Sequence, residues 1–142
     1  MTLSDGKSES GSSVIIEVDR VNPFDPSSFI KSFTIGEQDN RSVALTEVDL
    51  SNVRFKHMLK SGERHITGQK KLRRLKKAGY TCLDAKVFQT LWEKQHLIPE
   101  SWKEKTNGKR TFIFFDGTIL LDTCGGRYAL CLCHGLGGWF WN

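Results

Sequence analysis

The chain has 142 residues, enough for one domain with a sizeable core, and an apolar share of 38% that sits slightly below the usual globular level. No stretch approaches the roughly 20 apolar residues of a bilayer-spanning helix. The N-terminus has no basic segment followed by an apolar run, so a cytoplasmic location is expected and no membrane partner. The formal charge of +5 is concentrated in one segment: residues 60–77 hold eight basic side chains and one acidic, while residues 78–142 hold seven basic against six acidic.

Residues 1–13 are mostly Ser, Gly, Asp, Glu and Lys and read as a disordered tail. Residues 14–142 read as a single α+β domain, with a mixed N-terminal part (14–59), a helical part (60–106) and a C-terminal antiparallel β-meander (107–142). Val14 to Val18 is β-branched and predicts a strand. Pro23 and Pro26 predict a turn, and Ser28 to Phe33 a brief helix. Gly36 to Arg41 reads as a polar loop and Ser42 to Val48 as a weak strand. Asp49 or Ser51 then caps a short helix carrying Val53, Phe55, Met58 and Leu59, ended by Ser61-Gly62.

The central helical pair has clearer signals. Thr67 is placed as an N-cap and Gly79 as the glycine that ends the first helix. Asp84 caps a second helix, whose Val87, Phe88, Leu91 and Trp92 form one apolar stripe. Pro99 opens a short turn anchored by Trp102, and Asn107-Gly108 breaks the chain. Asp116-Gly117 between two apolar runs is a hairpin signal, Thr123 to Gly126 a further turn, and Gly135 to Gly138 the turn into Trp139-Phe140-Trp141. The two helices are expected to pack on one sheet face through Leu72, Leu75, Val87, Phe88, Leu91 and Trp92.

At about 100° per residue, Lys70, Arg73, Arg74 and Lys77 share the helix face opposite Leu72 and Leu75. Such a ridge suits a row of phosphates, so the candidate partner is nucleic acid or another polyanion; a solvated helix face is the plainer alternative. A helix-turn-helix reader fits poorly, because Gly79 to Leu83 is long for its turn. The four cysteines, Cys82, Cys124, Cys131 and Cys133, read as free thiols packed as small hydrophobes. Cys131-Leu132-Cys133-His134 is not a zinc knuckle, since a strand sends His134 to the opposite face, and neither a metal nor a cofactor is expected. No phosphate-binding loop, nucleophile elbow or zinc-protease motif is present. The favoured function is therefore a non-enzymatic binding or accessory protein. The alternative is an enzyme with Cys131 or Cys133 as nucleophile and a histidine base, such as Cys133 with His96. Trp139, Phe140 and Trp141 are either core plus edge strand or an exposed platform, with self-association as the expected consequence of an open edge.

Several strings together carry a resemblance. They are Val21-Asn22-Pro23-Phe24, Arg41 to Ser51 (RSVALTEVDLS), Leu83 to Trp92 (LDAKVFQTLW), Gln95 to Lys103 (QHLIPESWK) and Phe114 to Leu120 (FFDGTIL). The chain resembles small uncharacterised proteins of uncultured candidate-phyla bacteria over nearly its whole length after the tail. The resemblance implies no activity, cofactor or catalytic residue. Members of that group carry a longer Trp- and Gly-rich insert where this chain passes from Phe33 to Gly36-Glu37, and continue past Trp141. The chain therefore reads as a shortened member whose last strand is incomplete.

Overall fold

In the computed structural model, which describes residues 2–3, 14–105 and 108–142, short strands alternate with brief helical turns. β1 (Thr2–Leu3) falls within the expected disordered tail, yet its backbone pairs on both sides; the other residues of that tail, and Asn107 of the expected chain break, lie outside the described residues. β2 (Ile15–Glu17) forms where the β-branched run predicts it. Asp25 accepts a hydrogen bond from Ser27 N and starts a 3₁₀ turn at Pro26–Ser28, earlier and shorter than the helix expected there.

The next segment departs from expectation. β3 (Thr34–Gln38) runs through the first half of the predicted polar loop, and α1 (Asn40–Val43) replaces the start of the weak strand. Asp39 explains the change, because its carboxylate caps α1 by accepting from Arg41 N at 3.0 Å. β4 (Glu47–Asp49) follows, and Asp49 caps a 3₁₀ turn at Leu50–Asn52. The chain then turns extended as β5 (Val53–Arg54), so Phe55, Met58 and Leu59 lie on no helix.

The central helices stand where their caps place them. α2 (Gly68–Lys77) begins at Thr67, whose hydroxyl accepts from Lys70 N, and ends at Gly79 with φ +83°. β6 (Thr81–Cys82) leads to α3 (Ala85–Glu93), capped by Asp84. Two 3₁₀ turns, Gln95–Leu97 and Glu100–Lys103, bury Trp102. The rest is β7 (Ile113–Phe114), β8 (Thr118–Leu121), β9 (Arg127–Tyr128), β10 (Cys131–Gly135) and β11 (Gly138–Trp141).

The result is a mixed α+β fold with antiparallel sheets, ordered β5-β1-β6, β11-β10-β7, β3-β8-β9 and β2-β4. A simple C-terminal meander is not formed. β7 pairs with β10 and not with β8, so Asp116-Gly117 is no hairpin turn. The reversal lies instead at the predicted Thr123 to Gly126 turn, where Asp122 Oδ1 accepts from Cys124 N and Gly126 N. From that turn, β8 pairs with β9, Phe115 N bonds Leu130 O, and β7 pairs with β10 in a shifted register. Asp116-Gly117 is thus the bulge of one long hairpin that spans two sheets.

Glycine is required there by close approach. A Cβ on Gly117 would overlap the Cys82 carbonyl oxygen and lie 2.6 Å from Leu83 C. Gly117 N donates to Leu83 O and Gly117 O accepts from Asp39 N, so three distant segments meet at this residue. Beside them Asp84, 1% exposed, accepts from both Arg20 Nη1 (2.8 Å) and Nη2 (3.0 Å) and from Ser42 Oγ (2.6 Å). Arg20 also donates to Leu45 O and Ser42 O, which leaves this buried charge well paired.

The helices do not share one sheet face. Val87, Phe88 and Leu91, with partly buried Trp92 beside them, belong to the large core containing Ile16, Leu50, Ile113, Phe115 and Leu132. Leu72 and Leu75 belong to a separate cluster with Cys82 and Ile119, flanked by Met58 and Tyr80. Among the described residues, no helix is long and apolar enough to cross a membrane.

Candidate polyanion-binding groove

Both walls of one surface groove hang from the sheet β5-β1-β6. One wall is the extended segment that leaves β5, residues 55–60; the other is α2, which returns to β6 through Gly79 and Tyr80. Arg41 fixes that return by donating to Gly79 O (3.1 Å) and Tyr80 O (2.5 Å). The groove measures about 720 Å³ and is bounded by Lys56, Lys60, Arg73 and Lys77, with Phe55, Met58 and Ala78 among its apolar lining.

Arg74 joins the walls. Its Nη1 donates to Met58 O and to Glu63 Oε1, each at 2.7 Å, and its Nη2 to Glu63 Oε2 at 3.1 Å. Glu63 in turn accepts from Lys60 N at 2.7 Å, which closes the turn at Ser61-Gly62. The Arg74 guanidinium, with the Lys60 amide, holds the Glu63 carboxyl down at about 2. Met58 takes a positive φ of 58°, a conformation the Arg74 bond to its carbonyl helps hold.

The four predicted ridge residues therefore divide. Arg74 also lines the groove but is half-buried and paired with Glu63. Lys70, Arg73 and Lys77 are exposed and make no ion pair among the described residues; Arg73 and Lys77 line the groove, and Lys70 extends the row toward the start of α2. Neighbouring cations are already engaged: Lys71 Nζ lies 3.1 Å from Asp116 Oδ2 and 5.0 Å from the Phe114 ring centre, and Lys76 faces Glu37 at 3.8 Å. On the opposite wall Lys56 stands over the Tyr80 ring, and His57 Nδ1 accepts from Leu59 N. Lys56, Lys60 and Phe55 were missed by periodicity, because an extended wall has none of the helical spacing that singled out the ridge.

Helix electrostatics explain only part of this pattern. Lys76 and Lys77 suit the negative C-terminal end of α2. Lys70 does not, since it sits in a first turn with no acidic residue. Arg73 and Lys77 are like charges four residues apart, which costs about 0.2–0.5 kcal/mol. Lys70 with Arg73 adds further repulsion, offset in part by the attraction of the Glu63 carboxylate for Lys70.

The other candidates are placed differently. Cys82, Cys131 and Cys133 are buried, and Cys124 is exposed in the hairpin turn. Burial, with Asp116 and Asp39 nearby, pushes the Cys82 thiol up to about 11; burial raises Cys131 and Cys133 as well. A nucleophilic thiol needs the reverse: access and a lowered value. His134 stacks edge-on with Trp139 at 5.1 Å, and no group of three or more His, Cys, Asp or Glu among the described residues is arranged to hold a metal. Trp141 packs on Phe29 and Phe88, whereas Phe140 faces outward beneath Arg110. No protein-family model, no curated protein and no solved structure matches this chain.

Proposed function

We propose that this protein is a cytoplasmic binding or accessory module that holds a polyanion, such as nucleic acid, along the α2 groove. The observation that carries this is the row Lys70, Arg73 and Lys77, exposed and left without ion pairs among the described residues while neighbouring cations are paired. Lys56 and Lys60 add positive charge from the facing wall. The kinship with small candidate-phyla proteins belongs to the same proposal and assigns no residue a role.

The test is a salt titration of a labelled oligonucleotide. If Lys70, Arg73 and Lys77 each neutralise one phosphate, log K falls against log salt with a slope of about −2.7 on duplex DNA, steeper with the facing lysines. Arg73→Glu with Lys77→Glu is expected to abolish binding at an unchanged unfolding midpoint. Equal binding by both proteins, or none at low salt, refutes the proposal.

A second reading concerns β11, which is an edge strand in its sheet. Cys131 and Asn142 exchange backbone hydrogen bonds, and Cys133 pairs with Phe140 two residues on. Antiparallel alternation then points the N–H and C=O groups of Trp139 and Trp141 away from β10. Self-association through Trp139, Phe140 and Trp141 is proposed on that basis. Phe140→Lys is its test, because Phe140 is the outward side chain and Trp141 is not.

A further inference from the structure

The groove has a chemistry that charge alone does not use. Its cations stand on both walls, Lys56 and Lys60 on one and Arg73 and Lys77 on the other. Phe55, Met58, Leu59 and Ala78 supply the apolar lining, beside His57 and the Glu63-paired Arg74. Phe55 is 46% exposed although its ring makes an edge contact with Trp102, 5.4 Å between centres. Phe55 belongs to neither buried cluster, touching the large core through Trp102 and leaving nearly half of its surface open beside these cations. The volume of about 720 Å³ falls within the roughly 300–1,000 Å³ of ligand-sized sites.

An occupant that fits must bring regularly spaced negative charge and planar apolar groups together. A duplex meets only half of this, because its bases are stacked inward and offer no open face to Phe55. A sulfated polysaccharide has charge but no planar aromatic ring to stack. A single strand supplies both, with phosphates at the walls and unstacked bases available to an aromatic side chain. The cations also stand on both walls, within reach of a flexible single strand.

We infer that the ligand is single-stranded nucleic acid, bound with a base on Phe55 and its phosphates on Lys56, Lys60, Arg73 and Lys77. The inference rests on the polyanion proposal above and narrows it to one class. Four phosphate contacts on a single strand give a salt slope of about −2.8, shallower than the roughly −3.6 of the same count on duplex.

The experiment measures affinity, at one salt concentration, for a mixed-sequence single-stranded RNA, the same sequence as single-stranded DNA, its duplex, and heparin. Wild type is compared with Phe55→Ala and Phe55→Leu; the leucine variant keeps apolar volume against Trp102 if the alanine variant fails to fold. At least one of the single strands is expected to bind about tenfold tighter than the duplex or more. Loss of the ring is expected to weaken single-strand binding roughly ten- to hundredfold and leave heparin binding unchanged. Equal binding of duplex and single strand, or full single-strand affinity in Phe55→Leu, overturns the inference while heparin binding keeps the broader proposal standing. No binding to any of the four overturns both.

Discussion

Replacing Gly117 by alanine is expected to destabilise the fold severely. The added methyl would overlap the Cys82 carbonyl oxygen and lie 2.6 Å and 2.7 Å from Leu83 C and O, all of them backbone atoms. Those atoms have little room to retreat. Cys82 N is bonded to Asp39 Oδ2 at 2.9 Å and Asp84 N to Ser42 Oγ at 2.9 Å, both buried. Relief must come from moving Gly117, which breaks its 2.9 Å bond to Leu83 O and the 2.7 Å bond from Asp39 N. Overpacking costs about 1–3 kcal/mol, and two backbone hydrogen bonds add about 1 kcal/mol each. The sum of about 3–5 kcal/mol is a large fraction of the roughly 5–15 kcal/mol that such domains possess. With a urea m-value of about 2 kcal/mol/M, the midpoint falls by roughly 2 M. Gly137→Ala is the control, since nothing lies within 4 Å of the position its methyl would take, and it is expected to change stability by less than about 0.5 kcal/mol. A Gly117→Ala midpoint within about 0.5 M of wild type would refute the close-approach reasoning.

Asp84→Ala leaves Arg20 without its buried carboxylate and removes the α3 cap, so a loss of about 3–5 kcal/mol is expected in urea unfolding. Alkylation at neutral pH is expected to modify Cys124 alone in the folded protein and all four thiols in urea, counted by mass. Glu63 has its folded value lowered from 4.5 to about 2, so the stability it contributes is complete above 4.5 and is lost as pH falls through about 2. Glu63→Gln should remove that part of the acid dependence, read as a flatter unfolding midpoint against pH across this window. Phe140→Lys is expected to leave stability unchanged and reduce any concentration-dependent association in sedimentation, whereas Trp141→Lys should unfold the chain by placing a charge against Phe29 and Phe88.

Local signals were readable wherever the deciding interaction is local. Thr67, Asp84 and Gly79 bound α2 and α3 because caps act within three residues of the ends they mark. Asp49 was read as a cap on the same ground, though the element it starts is a three-residue turn, whereas Asp39 begins an element of only four residues, too short for a periodicity to support it. Asp116-Gly117 misled because its hairpin preference is overridden by contacts with Cys82 and Leu83, more than 30 residues away in sequence. β3 was hidden because its burial is slight and its pairing partner, β8, is distant in sequence. In the groove, Arg73 and Lys77 were visible from helical spacing. The neutralisation of Arg74 was not, although Glu63 is the one acidic residue in the basic segment 60–77 and was a usable clue.

The division of the interior into two clusters sets α2 apart from the large core. α2 rests on the cluster of Leu72, Leu75, Cys82 and Ile119, and its tie to the facing wall runs through Arg74 and Glu63. Sub-global opening can therefore release α2 while Phe88, Phe115 and the rest of the large core stay shut. Native-state hydrogen exchange should show α2 amides opening at a lower free energy than those of α3. A ligand spanning both walls would raise the protection of α2 and leave α3 unchanged, so occupancy of the groove is written in one helix of ten residues.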